Sequence, residues 1–123
     1  MDTLVIDIDN TITIESDCDY SEKAVNTEIV KKMKEAKRLG YEIILYTSRN
    51  MNTYKKDIAK INKYTLPIIL DWLDKNNVPY DGIVVGKPWC GKNGFYVDDK
   101  AIRPNEFVSM SYDELVKLLG LSE

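Results

Sequence analysis

The chain opens with a short apolar run that ends abruptly in carboxylates. Residues 3–8 read TLVIDI, and Asp9 and Thr11 follow directly. A near-continuous stretch of β-branched and apolar residues is typical of a strand that is covered on both faces. Side chains two positions apart in a strand point to the same side, so Asp7 and Asp9 are expected together at its end. A cation is then needed to balance their repulsion.

Strand-like and helix-like segments alternate along the rest of the chain. Four β-branched and aromatic runs predict strands, at residues 3–8, 41–46, 82–86 and 94–97. Three amphipathic stretches predict helices, at residues 27–39 with Thr27 as N-cap, from Thr65 to about 76, and at 111–119. The order β-α-β-α-β-β-α predicts an α/β fold: a three-layer, open, mainly parallel sheet with helices on both faces.

Length and charge narrow the possible partners. The chain has 123 residues and a net charge of -3, with basic residues scattered among acidic ones. One domain over residues 1–123 is expected, and neither a nucleic-acid stripe nor a membrane patch stands out. No stretch resembles a signal peptide or a membrane span, so we expect a cytoplasmic protein whose partners are small molecules or other subunits.

The absence of histidine excludes several kinds of chemistry. The sequence has no histidine and two cysteines, Cys18 and Cys90, which are most simply reduced thiols. Zinc sites of the Cys/His kind and catalytic triads that use a histidine base are therefore excluded. Acid–base work falls to carboxylates, lysines or tyrosines, and the remaining oxygen ligands suit Mg²⁺.

Polar side chains follow each predicted strand, where open α/β sheets bind their ligands. They are Asp7, Asp9, Thr11, Thr47, Ser48, Arg49, Lys87, Asp98 and Asp99. Carboxylates without histidine or thiolate favour Mg²⁺ that keeps positions for water and a substrate phosphate. Lys87 is suited to neutralise that phosphate, and the Thr47 hydroxyl to donate a hydrogen bond to it. The set predicts phosphoryl transfer.

A carboxylate is the expected nucleophile, because no serine has a base beside it. Asp7, nearer the strand, is predicted to attack phosphorus and form an acyl phosphate that water then hydrolyses. Asp9 is predicted to protonate the leaving oxygen and then to deprotonate the water.

These residues resemble a known family. DIDNT at residues 7–11 matches the DxDxT signature of the haloacid dehalogenase (HAD) superfamily, and ILYTSR, GKP and YVDD resemble its second, third and fourth motifs in order. The resemblance implies that Asp7 is nucleophile and Mg²⁺ ligand, and that Asp9 is acid/base and ligates Mg²⁺ through its carbonyl. It also implies that Thr47 binds phosphate, Lys87 is the motif lysine, Asp98 completes the metal site and Asp99 is an auxiliary carboxylate.

The resemblance also bears on the lid and the substrate. Neither usual insertion point has room for a cap domain, so the chain is similar to capless members, which often use a neighbouring subunit as a lid. Residues 61–99 further resemble small bacterial phosphatases of capsule biosynthesis. The implied function is a Mg²⁺-dependent phosphatase in a homo-oligomer, acting on a sugar phosphate or phosphorylated amino alcohol for a surface polysaccharide.

Several assignments stay open. Lys87 lies eleven residues before Asp98, so Lys92 is a rival for the motif lysine. Thr47 and Ser48 have the alternative role of capping the following helix. We assign Thr11, Ser48, Arg49, Trp89 and Lys92 to substrate binding, with Arg49 also a candidate partner of an active-site aspartate.

Two other functions compete with the phosphatase. A phosphorylatable receiver-type signalling module is also a small α/β sheet with an acidic pocket, a threonine and a lysine. Its motifs come in a different order, because its acidic pair is at the first strand and its lysine comes last. An inactive interaction subunit derived from a phosphohydrolase is the third possibility, and competent residues at every motif position argue against it.

Overall fold

The computed structural model describes residues 2–121. The chain divides into two compact units, Met1–Trp89 (the first unit) and Cys90–Glu123 (the second unit). The single domain expected over residues 1–123 stays a prediction.

The first unit contains a three-stranded parallel sheet. Strands β1 (Thr3–Ile6), β2 (Glu42–Thr47) and β3 (Gly82–Val85) lie in the order β1-β2-β3. Ile6 is the partner of Leu45, and Thr47 is the partner of Val85. The α/β class, the open parallel sheet and the absence of a cap are thus confirmed, and each strand lies within one or two residues of its predicted position.

Helix α1 (Thr27–Arg38) connects β1 to β2. Its N-cap is Asn26, whose side-chain oxygen accepts from the Ile29 amide at 3.3 Å, so the predicted cap at Thr27 is wrong by one residue. Asparagine is the stronger cap of the two. At the other end Gly40 has a φ of 97°, a left-handed conformation that glycine adopts without steric cost, and the chain turns into β2.

A longer helical segment connects β2 to β3. It consists of α2 (Ile58–Lys60), a π-helical turn (Ile61–Thr65) and α3 (Leu66–Lys75). The helix predicted from Thr65 therefore starts earlier, where the Asp57 side chain accepts from the Lys60 amide at 3.2 Å. Pro67 lacks a backbone N–H and cannot donate a helical hydrogen bond to the carbonyl four residues earlier. The wider π-helical turn that precedes it accommodates this missing hydrogen bond.

These two connections cover one face of the sheet. Right-handed crossovers that proceed in one direction place both helices on the same side. On that side Ile43 and Leu45 are fully buried, whereas on the other side Val5 is 63% exposed and Val84 is 48% exposed. The helices predicted for the second face are not part of the first unit.

Trp72 joins α3 to the loop that follows β1. Its indole is 2% exposed, and Nε1 donates to the Lys23 carbonyl at 2.8 Å. The loop also contains a 3-10 turn, Tyr20–Glu22. Burial and hydrogen bonding at one side chain thus hold the loop against the helical layer.

The second unit contains helices α4 (Pro104–Ser109) and α5 (Tyr112–Leu118). The terminal helix is confirmed with its capping box, in which Ser111 Oγ accepts from the Glu114 amide at 3.2 Å. Helix α4 was not predicted. The strand predicted at residues 94–97 is wrong: the structure assigns these residues to neither a strand nor a helix, and Phe95 is 81% exposed.

Across residues 2–121, every helix falls short of the length and apolarity that crossing a bilayer requires.

Replacing Trp72 by phenylalanine should weaken the fold. The Trp72→Phe variant leaves the Lys23 carbonyl without its donor and opens space in the core, so we expect the free energy of unfolding to fall by about 1–3 kcal/mol. Urea denaturation followed by circular dichroism measures this. Trp89→Phe is the matched control, because Trp89 is 51% exposed, and it should change stability by less than about 0.5 kcal/mol. Equal effects of the two substitutions would contradict the anchoring role.

Candidate functional site

The strand register assembles a polar cluster at the carboxyl edge of the sheet. Asp7 follows β1, Thr47 ends β2, and Lys87 lies just beyond β3. The Lys87 amide donates to the Thr47 carbonyl at 3.0 Å, and Lys87 Nζ lies 3.8 Å from Asp7 Oδ1. Three predicted site residues from three strands are therefore neighbours.

Asp7 is a partly buried carboxylate whose neighbours shift its pKa in opposite directions. Burial, the largest effect, raises its pKa above the ordinary value, and the negative charge of Asp9 adds to that rise. The positive charge of Lys87 and the Ile8 amide both lower the pKa. Thr11 Oγ1 donates to Asp7 Oδ2 at 3.5 Å, a weak contact at the limit for a hydrogen bond.

A tight turn positions the carboxylates after β1. The Ile8 carbonyl accepts from the Ile12 and Thr13 amides at 2.9 and 3.0 Å. Asn10 has a φ of 61°, a conformation that asparagine tolerates better than most residues, and its amide donates to Thr13 Oγ1 at 3.0 Å. The turn bends the chain directly after Asp9 and brings Thr11 back towards Asp7.

Asp9 is held by a buried arginine. Arg49 Nη2 donates to Asp9 Oδ1 at 2.8 Å and Arg49 Nε donates to Asp9 Oδ2 at 3.2 Å, which is a bidentate pair. Arg49 is 4% exposed, and its guanidinium lies 4.0 Å from the centroid of the Tyr20 ring. Among the described residues, Arg49 Nη1 is a buried nitrogen without a hydrogen-bond partner.

Thr47 and Ser48 do not cap the next helix. Thr47 is 1% exposed, and its Oγ1 accepts from the Arg49 amide at 3.0 Å within a turn. The helix that follows is capped by Asp57, so the alternative in which Thr47 or Ser48 caps it is wrong. Ser48 lies half-buried in the same turn.

The sequence missed three residues that support this loop. Tyr20 lies on the Arg49 guanidinium, and Thr65 Oγ1 donates to Asn50 Oδ1 at 2.7 Å. Asn50 has a φ of 62°, so it both turns the chain and ties it to the π-helical turn. Of these three residues, only Asn50 could have been predicted from the sequence, because an asparagine after a strand favours a left-handed turn. Nothing in the sequence distinguishes Tyr20 from other exposed tyrosines.

The remaining predicted residues lie further along the chain. Trp89, half-exposed, ends the first unit, and Lys92, Asp98 and Asp99 are exposed in the second unit. Asp98 Oδ1 accepts from the Lys100 amide at 2.9 Å.

The carboxylates of the first unit fit part of a magnesium site. Within residues 2–121 no group of three or more histidine, cysteine, aspartate or glutamate side chains is placed to hold a metal ion. Asp7 supplies a carboxylate, whereas both carboxylate oxygens of Asp9 accept from Arg49, which leaves its backbone carbonyl as the candidate ligand. Mg²⁺ is commonly held by one or two carboxylates together with waters and substrate phosphates. The donor set therefore suits Mg²⁺ that is shared with a phosphorylated substrate.

A solved structure places the chain among known proteins. A Vibrio cholerae protein of known crystal structure is 48% identical, with a TM-score of 0.96 over 98% of each chain. The chain belongs to the same family as that Vibrio cholerae protein. No family model matches the sequence, and no curated protein matches it.

The likeness to other solved structures concerns the fold. A chain of the Pnkp1/Rnl/Hen1 complex is 19% identical with a TM-score of 0.51, and the match covers 88% of this chain and 33% of that one. A second structure of the Pnkp1/Rnl/Hen1 RNA repair complex matches at a TM-score of 0.49. The α/β fold of this protein is therefore similar to one part of a longer chain in the Pnkp1/Rnl/Hen1 complex.

Asp7 should destabilise the folded protein near neutral pH. Folding raises the pKa of Asp7 above its unfolded value of about 3.9. Between those two pKa values the folded state binds more protons than the unfolded state, so the free energy of unfolding falls as the pH rises. The Asp7→Asn variant cannot ionise. We therefore expect its thermal midpoint, measured with chelator present, to exceed that of the wild type at pH 7, with the difference shrinking below about pH 4.

Asp17→Asn is the control for this comparison, because Asp17 is an exposed carboxylate in the loop after β1. It should follow the wild type at every pH. If Asp7→Asn is no more stable than wild type at pH 7, burial of the charged Asp7 carboxylate does not destabilise the folded protein, and the prediction is wrong.

Proposed function

We propose that the chain is a Mg²⁺-dependent phosphomonoesterase of the HAD type, with Asp7 as the nucleophile. The observation that carries the proposal is the partly buried Asp7 carboxylate, which has Lys87 at 3.8 Å and Thr47 on the adjoining strand end. A carboxylate withdrawn from water beside a fixed cation is suited to attack phosphorus, and the same lysine is suited to balance the phosphate charge.

The two aspartates divide the reaction between them. An Asp7 oxygen attacks phosphorus, the bond from phosphorus to the substrate oxygen breaks, and Asp9 gives that oxygen a proton. Asp9 then takes a proton from water, the water oxygen attacks phosphorus, and the bond between phosphorus and Asp7 breaks to release inorganic phosphate. The bidentate contact with Arg49 fixes the orientation of the Asp9 carboxyl group.

Asp7, the Asp9 carbonyl and Asp98 are the residues that we assign to Mg²⁺, with Asp99 as an auxiliary carboxylate. The ion supplies positive charge that offsets the phosphate and the attacking carboxylate. Thr47 binds the phosphate through its hydroxyl, and Thr11 makes a weak contact with Asp7 at 3.5 Å. Arg49 Nη1, a buried donor without a partner in the described structure, adds a candidate contact for the substrate.

The substrate that we propose is a small sugar phosphate or a phosphorylated amino alcohol for a surface polysaccharide. The support is the resemblance of residues 61–99 to small capsule-biosynthesis phosphatases. Ser48, Trp89 and Lys92 are assigned to its recognition, and the half-exposed Trp89 offers an aromatic surface for it. A cytoplasmic homo-oligomer belongs to the same proposal.

Phosphate release tests the function directly. Purified protein should hydrolyse para-nitrophenyl phosphate and at least one member of a panel of sugar phosphates and phosphorylated amino alcohols when Mg²⁺ is present, and chelation should abolish turnover. Asp7→Asn should lose at least about a thousandfold in kcat, because no other nucleophile is in place. Asp17→Asn should keep the wild-type rate.

Two outcomes would overturn the proposal. One is absence of turnover on the whole panel, with wild type and Asp7→Asn indistinguishable. The other is an aspartyl phosphate that persists for minutes without turnover, which would favour the receiver-type signalling module.

Lys87 and Lys92 can be separated by substitution. Because Lys87 contacts Asp7, Lys87→Ala should lower kcat/KM by about a hundredfold or more, whereas Lys92→Ala, at an exposed position, should stay within a few-fold of wild type. Steady-state kinetics on the best substrate measures both, with circular dichroism to confirm folding. A larger loss in Lys92→Ala would reverse the assignment of the motif lysine.

A further inference from the structure

A buried cation contacts Asp9 and has an incomplete set of hydrogen bonds. The Arg49 side chain is 1% exposed, and its Nε and Nη2 donate to the two carboxylate oxygens of Asp9. Among the described residues, Nη1 of Arg49 has no hydrogen-bond partner. A buried charge is costly unless its surroundings compensate it. The guanidinium therefore depends on Asp9 and on the group that lies against its flat face.

Tyr20 is the group on that face. The centroid of its ring lies 4.0 Å from Cζ of Arg49, well inside the separation of about 6 Å at which a cation–π contact is favourable. Tyr20 is 39% exposed whereas Arg49 is buried, so the ring separates part of the guanidinium from solvent. Water that reached the ion pair would compete for its hydrogen bonds and raise the local dielectric constant. The ring therefore strengthens the contact between Arg49 and Asp9.

The loop that carries Tyr20 is restrained at two places. At its base, Thr13 and Val25 form an antiparallel bridge. Nearer to Tyr20, the Lys23 carbonyl accepts from Nε1 of Trp72 at 2.8 Å, and the Lys23 amide donates to the Tyr20 carbonyl at 3.4 Å. The backbone of Tyr20 is thus tied to the helical layer through a residue three positions away.

The pair with Arg49 leaves part of the Asp9 carboxyl group open. A carboxylate offers about four lone-pair sites on its two oxygens, and the bidentate contact uses one on each oxygen. The Asp9 side chain is also 30% exposed. Groups that transfer protons work only within a narrow range of positions and orientations. A restraint on Arg49 is therefore also a restraint on the direction of the remaining Asp9 lone pairs.

We propose that Tyr20 is a positioning residue of the site. Its ring covers the Arg49 guanidinium, excludes water from the ion pair with Asp9, and so holds the Asp9 carboxyl group in the orientation from which it protonates the leaving oxygen. In this role Tyr20 acts through Arg49 rather than through a contact with the reacting atoms. The covering of the ion pair is independent of any activity, whereas the effect on proton transfer rests on the proposed function.

Hydrogen exchange at Arg49 tests the covering without reference to activity. The chain has three arginines, so the Nε–H signals in a heteronuclear NMR spectrum are few, and through-bond correlation to the Arg49 backbone assigns the relevant one. Tyr20→Ala opens the ion pair to water and should speed exchange of the Arg49 Nε–H about tenfold or more. Tyr20→Phe keeps the ring and should exchange within about twofold of the wild type.

Tyr64→Ala is the matched control for exchange. Tyr64 is also an exposed tyrosine of the first unit, and the cation over its ring is Lys63, at 5.3 Å, rather than a residue of the site. Backbone amides of β2, the central strand, report global opening and should exchange alike in all variants. Three results would overturn the covering: unchanged Arg49 exchange in Tyr20→Ala, an equal rise in Tyr64→Ala, or an equal rise at the β2 amides.

Leaving groups of different basicity test the effect on proton transfer. An alkoxide leaves phosphorus with the help of an acid, whereas para-nitrophenolate is stable enough to leave without a proton. Tyr20→Ala should therefore lower kcat/KM about tenfold or more for the best sugar phosphate or phosphorylated amino alcohol, and less than about threefold for para-nitrophenyl phosphate. Tyr20→Phe should restore both values, and Tyr64→Ala should keep them.

Two kinetic results would overturn the positioning role. One is an equal loss on both kinds of substrate, which is expected of general damage to the site. The other is a loss carried by KM alone, which is expected if the ring binds the substrate directly. If wild type hydrolyses no phosphate ester, the proposed function fails and the effect on proton transfer fails with it, while the exchange rates still decide whether Tyr20 covers the ion pair.

Discussion

The register of the three parallel strands is the constraint on which the site depends. Ile6 lies beside Leu45 and Thr47 lies beside Val85, so the residues that follow these strands emerge at one edge. A shift of β1 by one position would turn Asp7 and Asp9 to the other side of the sheet. The buried alternation of β2, with Ile43 and Leu45 packed against the helical layer, fixes that register.

Two ion pairs make the close approach of two carboxylates tolerable. Asp7 lies 3.8 Å from Lys87, and Asp9 is bound by Nε and Nη2 of Arg49. The pairs differ in kind: the lysine contact is long and partly buried, whereas the guanidinium is buried under Tyr20. The 3.8 Å contact constrains Lys87 weakly, while the bidentate pair holds Asp9 in one orientation.

The features that the sequence predicts correctly are those that depend on neighbouring residues along the chain. Strands β1, β2 and β3 and the helices between them follow from apolar runs and caps, because burial of a continuous apolar face is encoded by neighbouring residues. The strand at residues 94–97 could not be resolved in this way, since pairing depends on a partner strand that composition does not specify. Tyr20 was also beyond prediction, because its contact with Arg49 joins two loops that are distant in the sequence. The site roles of Asp98, Asp99 and Lys92 stay predictions.

Asp7 shows why the site must balance burial against charge. Full exposure would leave the carboxylate solvated and a poor nucleophile, and full burial would leave it protonated, because desolvation raises its pKa. Lys87 and the Ile8 amide act in the opposite direction and favour the ionised form. The hydrogen bond from the Ile8 amide is local to the end of β1. Lys87, by contrast, is placed near Asp7 by the pairing of β2 with β3. The pKa of Asp7 is therefore set by the whole sheet rather than by the DxDxT segment alone.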